Sequence, residues 1–184
     1  MGNFYNIHLK KRISLKNIKE FVKFFPLDIH FKTELSISYN EIGLHAALIN
    51  SSITWYEMAS YITEDTFGNK EKVVIRLGDV VTIQDEEYSE SFAKIQSIFR
   101  HKANNNKYYA FIIVSWFEEI NQKHAILECP LFSLLSANDQ QWRRIFPITV
   151  IDKANKVHFV RNENEQSVNE EGCWVKNEFY FTAV

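Results

Sequence analysis

The feature that most constrains the fold is the apolar run Tyr108 to Phe117, which reads YYAFIIVSWF. It combines aromatic and β-branched residues, which favour strands, over a length typical of one long strand. Because its apolar residues do not alternate with polar ones, the strand is too apolar to lie at the surface. The polar stretch before it, HKANNNK at His101 to Lys107, is typical of a hairpin loop. The sequence therefore predicts a buried strand entered from a hairpin.

Further short strands are predicted on both sides of this run. Alternation, or a high content of β-branched and aromatic residues, marks them at Ile53–Ile62, Val73–Ile83, Ser91–Phe99, Ile145–Val150, Lys156–Val160 and, as a last strand or pair, Trp174–Val184. The turn-like Gly78-Asp79 interrupts the second of them. Short strands separated by turns favour an all-β barrel or sandwich over alternating strands and helices.

The first part of the chain has a mixed pattern. Ser14 is a suitable N-cap for an amphipathic helix over Leu15–Phe25, which Pro26 would end. The segment Leu35–Tyr39 alternates apolar residues with two serines, which predicts a half-buried strand.

A boundary is predicted at the polar segment Thr63 to Lys72, TEDTFGNKEK, which holds the glycine Gly68. We therefore expect residues 1–70 to form a small α+β extension and residues 73–184 to form a mainly β domain. Because the apolar content is even across position 70, the two parts are expected to pack as one unit.

Composition excludes several classes of protein. Of the 184 residues, 46% are apolar and 24% are charged, which are globular values, so a disordered chain is not expected. The formal net charge of -2 gives no overall attraction to nucleic acid, although it is compatible with a local basic patch. No apolar run is long enough for a transmembrane helix, and the start MGNFYNIHLKKR lacks the apolar core of a secretory signal. With only Cys129 and Cys173, the chain is expected to be intracellular, reduced and free of membrane contact.

The sequence carries no pattern of known catalytic chemistry. None of the six histidines lies in an H-x-x-x-H or H-E-x-x-H spacing, and the two cysteines have no C-x-x-C partner. Phosphate-binding and nucleophile-elbow glycine motifs are absent. The pairs Glu86-Glu87 and Glu118-Glu119 would point to opposite faces of a strand, so neither pair can serve one site. We expect a non-enzymatic protein without a metal or cofactor.

Five segments, taken in order, resemble the strand motifs of the bromo-adjacent homology (BAH) domain. They are RLGDVVTI at Arg76–Ile83, FAKI with a following IF at Phe92–Phe99, VSWF at Val114–Phe117, IFPITVI at Ile145–Ile151 and KVHFV at Lys156–Val160. The resemblance covers residues 73–160 well and extends loosely to residue 184. It implies a BAH-like twisted sheet or partly closed barrel. The segment Val175–Phe181 is similar to domains of this kind in proteins carried by eukaryotic mobile elements.

BAH domains are non-enzymatic modules of chromatin proteins, and some hold a methylated lysine of a histone tail in an aromatic cage. On that resemblance, Trp116 is one wall of a peptide cage. Tyr88 is the candidate for a second wall, since Ser91 stands nearest to the usual aromatic position. Glu118 or Glu119 would supply the anionic edge. The resemblance thus implies a nuclear, chromatin-associated module whose partner is a histone tail or another peptide, whereas Trp116 read from the strand alone is a core tryptophan.

Two basic clusters indicate an alternative function. Lys10, Lys11 and Arg12, with Lys16, Lys19 and Lys23, make the N-terminal segment locally positive. Trp142 stands beside Arg143 and Arg144. An aromatic ring next to guanidinium groups suits phosphate contact and base stacking. The alternative is therefore a DNA- or RNA-binding accessory domain of a mobile-element protein. Two plainer possibilities stay open at this point: ordinary pairing of Arg143 and Arg144 with acids, and a structural or oligomerisation domain that binds neither ligand.

Overall fold

The structure, a computed structural model, describes residues 3–12, 29–44, 53–64, 67–84, 90–135, 142–151, 156–162 and 172–177. Within these ranges lie eleven strands, one α-helix and one 3-10 helix. Their bounds are β1 Asn3–Arg12, α1 Ile29–Glu41, β2 Ile53–Glu64, β3 Lys70–Arg76, β4 Val80–Gln84, β5 Glu90–Lys102, β6 Tyr108–Lys123, β7 Pro130–Leu134, β8 Ile145–Pro147, η1 Ile148–Val150, β9 Lys156–Val157, β10 Phe159–Asn162 and β11 Cys173–Lys176.

The described strands form an antiparallel sheet. The main order is β1-β2-β5-β6-β7-β11-β10, with β3 beside β2, β4 beside β5 and β9, and β8 beside β6. The prediction of a mainly β fold is confirmed, and the sheet is not closed into a barrel.

The strands predicted between Ile53 and Val160 are confirmed, with changes at their ends. Of the strand or pair predicted over Trp174–Val184, the first residues lie in β11, and residues 178–184 lie outside the described residues. The run Tyr108–Phe117 lies in β6, where five consecutive residues, 111 to 115, are buried. The predicted hairpin turn precedes it, and Asn106 adopts the left-handed φ of 63° that asparagine tolerates in tight turns. The predicted strand Ile145–Val150 is only half a strand, since η1 replaces it after Pro147. The Tyr61 hydroxyl donates to the Ile151 carbonyl at 2.5 Å and lies 3.2 Å from the Ile148 carbonyl, which helps to hold η1 in place.

The predicted strand at Leu35–Tyr39 is wrong, because this segment belongs to helix α1. Phe31, Leu35 and Tyr39 are spaced by four residues and are all buried, whereas Ile37 is 42% exposed. Residues spaced by four lie on one face of a helix, but every second apolar residue of an alternating strand has the same spacing. The alternation was therefore coincidental. The helix predicted over Leu15–Phe25 and its stop at Pro26 lie outside the described residues.

The chain divides into two compact units, each built from discontinuous segments. Unit 1 consists of Met1–Gly78, Ile95–Val114 and Arg143–Ala154, and unit 2 of Asp79–Lys94, Ser115–Trp142 and Asn155–Val184. The segment proposed as a domain boundary joins β2 to β3 inside unit 1, with Glu64 paired opposite Lys70. The division into an extension over 1–70 and a BAH-like domain over 73–184 stays a prediction.

Unit 1 has an aromatic core between α1 and the sheet. Tyr39 packs edge-on against Phe111, with ring centroids 4.9 Å apart, and Phe99 stacks on Phe111 at 5.5 Å. A buried hydrogen bond of 2.5 Å joins the Tyr39 hydroxyl to Nδ1 of His101. Burial, with a smaller contribution from Tyr109, raises the pKa of Tyr39, and burial lowers the pKa of His101. Both groups are therefore neutral at neutral pH, as a buried pair requires.

Two ion pairs fasten α1 to the segment that leads into β8. The Glu34 carboxylate accepts from the backbone N–H groups of Arg144 and Ile145 at 2.7 and 3.0 Å, and from the Arg144 guanidinium at 3.1 and 3.2 Å. The Glu41 carboxylate binds the Arg143 guanidinium through both oxygens. The Ser38 hydroxyl donates to the Ile145 carbonyl at 2.6 Å. Glu34, Ser38 and Glu41 of α1 therefore all bind this one segment.

Unit 2 has a second aromatic core. The rings of Phe117 and Phe159 stack at 4.2 Å, and Phe132 packs edge-on against Phe159 at 5.1 Å. Two lysines cover half-buried rings at its margin, Lys94 over Trp174 at 5.3 Å and Lys176 over Phe92 at 4.7 Å. These contacts stabilise the unit by cation–π attraction, about 0.5–1 kcal/mol each at such partly exposed sites.

Candidate functional site

Unit 1 carries a row of basic residues on one face of its sheet. In the pairing of β1 with β2, His8 lies opposite Ser60 and Lys10 opposite Met58. In the pairing of β2 with β3, Lys72 lies opposite Ile62 and Arg76 opposite Met58. Residues directly opposite one another share a face, and even-numbered residues of β2 all point to the same side. His8, Lys10, Lys72 and Arg76 are therefore on one face, and all four are exposed.

Arg100 extends this basic face onto β5, since it pairs opposite Thr54 of β2. Its guanidinium carbon lies 4.4 Å from the ring centroid of Tyr108 and 5.8 Å from that of Tyr56. Its Nε is buried and has no hydrogen-bond partner among the described residues. No described carboxylate pairs with this guanidinium either. Arg100 is thus a cation supported by two aromatic rings rather than by an acid.

Arg100 lies in a groove of about 660 Å³, which we call the Arg100 groove. Its charged and aromatic lining consists of His8, Lys10, Arg100, Tyr56, Tyr108 and Tyr109. Among the described residues, no aspartate or glutamate lines it. An unsatisfied buried donor costs about 1–3 kcal/mol, so an unpaired guanidinium in a cleft is a candidate for ligand binding. Cations without acids, beside flat phenol rings, suit an anionic ligand that also carries a flat ring.

The residues predicted for a peptide cage are only partly brought together. Trp116 is half-buried in β6, whereas Glu118 and Glu119 are exposed. Because successive side chains of a strand alternate, Trp116 and Glu118 share one face, and Glu119 lies on the face of Phe117. Tyr88 lies outside the described residues. The structure therefore groups Trp116 with Glu118, and the cage stays a prediction.

Of the first predicted basic cluster, Lys10 lies on the basic face. Lys10 lines the Arg100 groove, while Lys11 and Arg12 belong to β1 with side chains outside the described part. In the second cluster, Trp142 is 58% exposed. Arg143 and Arg144 are engaged by Glu41 and Glu34 of α1. Nucleic-acid contact through either arginine would therefore compete with its ion pair.

Sequence reasoning missed Arg100, Tyr56 and Tyr108 as site residues. The alternation of the predicted strands indicated which neighbours share a face within one strand, but not which strands pair or in what register. Without the register, Arg100 is an isolated arginine at the end of a strand.

The described part of the chain shows neither a metal-binding cluster nor a membrane-spanning helix. It contains no group of three or more histidine, cysteine, aspartate or glutamate side chains arranged to hold a metal ion. No helix within it has the length and apolar character needed to cross a bilayer.

Comparison of the chain with protein-family models, with curated proteins and with solved structures finds no match.

Proposed function

We propose that the chain is a non-enzymatic binding module that takes single-stranded nucleic acid in the Arg100 groove. The observation that carries this proposal is the Arg100 guanidinium, which lies against Tyr108 and Tyr56 in a groove lined by Lys10 and His8 and by no described acid. Single-strand-binding proteins combine these two elements, cations that follow the phosphate backbone and aromatic rings on which bases stack.

The tyrosines favour a single strand over a duplex. Tyr108 is 53% exposed at the start of β6, so its ring can receive a base. In a duplex, the faces of the bases are covered by their neighbours and only phosphates and base edges are accessible. The same basic lining disfavours a histone tail in this groove, because a histone tail is itself basic and like charges repel.

The proposal is tested by fluorescence anisotropy with a single-stranded oligonucleotide and the matching duplex over a series of salt concentrations. We expect preference for the single strand and a linear fall of log affinity with log salt. Arg100→Ala should weaken binding about tenfold or more, since it removes a charge and a stacking surface, and Arg100→Lys should retain part of the affinity.

Controls separate binding from folding. Lys10→Glu changes an exposed side chain and should weaken binding without lowering the melting temperature. Lys123→Ala, an exposed lysine at the end of β6 in unit 2, should leave affinity unchanged. Unaltered affinity of the folded Arg100→Ala and Lys10→Glu variants, or no binding at low salt, would refute the proposal.

A second candidate, peptide binding at Trp116, is favoured by one observation: the half-buried Trp116 and the exposed Glu118 share a face of β6. An indole beside a carboxylate suits a methylated lysine, for which the indole contributes about 0.5–2 kcal/mol. We also propose, from the BAH-like resemblance, that the chain comes from a chromatin-associated or mobile-element protein and that it is located in the nucleus.

Trp116→Ala separates the peptide site from a purely structural role. If Trp116 forms a cage, the variant should stay folded and lose peptide affinity several-fold on a histone-peptide array. If Trp116 is a packing residue, the variant should lose about 3–5 kcal/mol of stability instead. Peptide binding should also depend less on salt than nucleic-acid binding does.

A further inference from the structure

A second cavity, of about 370 Å³, lies on the same basic face of unit 1. Its lining consists of His8, Lys10, Ser60, Tyr61, Ile62 and Lys72. It shares His8 and Lys10 with the Arg100 groove, so strand β1 supplies one wall to both. We call it the Lys72 cavity.

Lys72 is the cation that distinguishes this cavity from the groove. It is exposed in β3, and no described carboxylate forms an ion pair with it. Glu64, the nearest acid on this face by register, lies 3.9 Å from the ammonium group of Lys70. Glu71 follows Lys70 in β3 and points to the opposite face by alternation. The charge of Lys72 is therefore available to an anion from outside.

The two cavities together define a path of measurable length. Arg100 pairs opposite Thr54 and Lys72 opposite Ile62, positions eight residues apart on β2. At the rise of a strand this is about 26 Å. The path carries Arg100, Lys10, His8 and Lys72, whereas an isolated phosphate or a mononucleotide can contact only one end of it.

We propose that the Lys72 cavity is a phosphate subsite for the same strand whose base stacks in the Arg100 groove. This inference rests on the proposed function and narrows its ligand to an oligonucleotide that runs along β2 beside β1. The Ser60 hydroxyl, a neutral donor, and the Lys10 ammonium group complete the subsite, because both residues line the same cavity as Lys72. A path of about 26 Å corresponds to about eight nucleotides at duplex spacing, and to fewer when the strand is extended.

The test measures affinity for thymidine oligonucleotides of increasing length, from a dinucleotide to a dodecamer, with the full chain. Affinity should rise with length and level off near the octamer. Lys72→Gln should lower octamer affinity about three- to tenfold and reduce the salt slope by about one, because it removes one phosphate contact. The same variant should leave dinucleotide affinity unchanged, and Lys123→Ala should change neither.

The outcomes separate this inference from the proposed function. If the dinucleotide binds through Arg100 and Lys72→Gln affects both lengths equally or neither, the subsite is refuted and the groove stands. If affinity does not rise beyond the dinucleotide, the path is refuted in the same way. If no oligonucleotide binds at low salt, the proposed function and the subsite fail together.

Discussion

Replacing Glu34 tests whether its carboxylate is what fastens α1 to unit 1. Its two oxygens accept four hydrogen bonds, two from backbone N–H groups and two from the Arg144 guanidinium. The side chains of Glu34 and Arg144 are only 15% and 16% exposed, so water cannot fully replace either partner. Glu34→Ala removes all four bonds, whereas Glu34→Gln retains an oxygen for the backbone donors and loses the ion pair.

The expected magnitudes follow from what each variant leaves unsatisfied. Glu34→Ala removes the acceptor of the N–H of Ile145, a residue 1% exposed, and the carboxylate partner of the mostly buried Arg144 guanidinium. The loss of each of these partners costs about 1–3 kcal/mol, which together gives about 2–6 kcal/mol. Glu34→Gln should lose about 1–2 kcal/mol, since a hydrogen bond to a charged group contributes about 1.5–3 kcal/mol and one to a neutral group about 0.5–1.5 kcal/mol. Glu41→Gln serves as the matched control, and since Glu41 is 43% exposed it should lose less than about 1 kcal/mol.

Urea unfolding followed by far-UV circular dichroism measures these losses, and thermal unfolding repeats them at about 2–4 °C per kcal/mol for a chain of this size. The order Glu34→Ala, then Glu34→Gln, then Glu41→Gln is the result that supports the reasoning. A Glu34→Ala variant no less stable than Glu41→Gln would show that apolar packing alone holds α1.

Two further predictions concern histidines. Burial lowers the pKa of His101 below the ordinary 6.5, so the unfolded chain binds the proton more readily and the free energy of unfolding should fall as pH drops below about 6.5. Urea titrations across this pH range should show a shallower loss of stability in His101→Phe than in the parent protein. The same dependence on pH in both proteins would contradict the assignment. Nδ1 of His124 accepts the N–H groups of Ile126 and Leu127 at 3.3 and 3.1 Å in the turn between β6 and β7. Amide exchange at these two residues should accelerate in His124→Ala and be largely restored in His124→Asn, whose side-chain oxygen can replace Nδ1; equal protection in all three proteins would refute this role.

Most strands were predicted because their signals are local, although none was predicted at β1 or β7. The run in β6 is apolar over its whole length, and the turn before it holds the residues that turns require, so neither depends on distant contacts. The helix α1 was missed because Leu35 and Tyr39 satisfy both a period of two and a spacing of four. Only the burial of Phe31 with them, and the exposure of Ile37, separates the two patterns.

The candidate site was harder to predict because it depends on register. Lys10 was recognised from its basic neighbours, but Arg100 becomes a site residue only when β5 pairs with β2 and brings Tyr56 beside it. Likewise, Arg143 and Arg144 form a basic patch in the sequence, whereas in the fold they meet Glu41 and Glu34 from more than a hundred positions earlier. A single sequence does not state such long-range partners.

The separation between α1 and its ion-pair partners has a consequence for synthesis on the ribosome. Glu34 and Arg144 are 110 residues apart, an interval that takes about 5–20 s at ordinary elongation rates. During that time the apolar face of the helix segment, formed by Phe31, Leu35 and Tyr39, cannot pack against the β8 segment, which has not yet been synthesised. The nascent chain is therefore expected to be a chaperone client over this interval, and unit 1 can close only after residues 143–154 have left the exit tunnel.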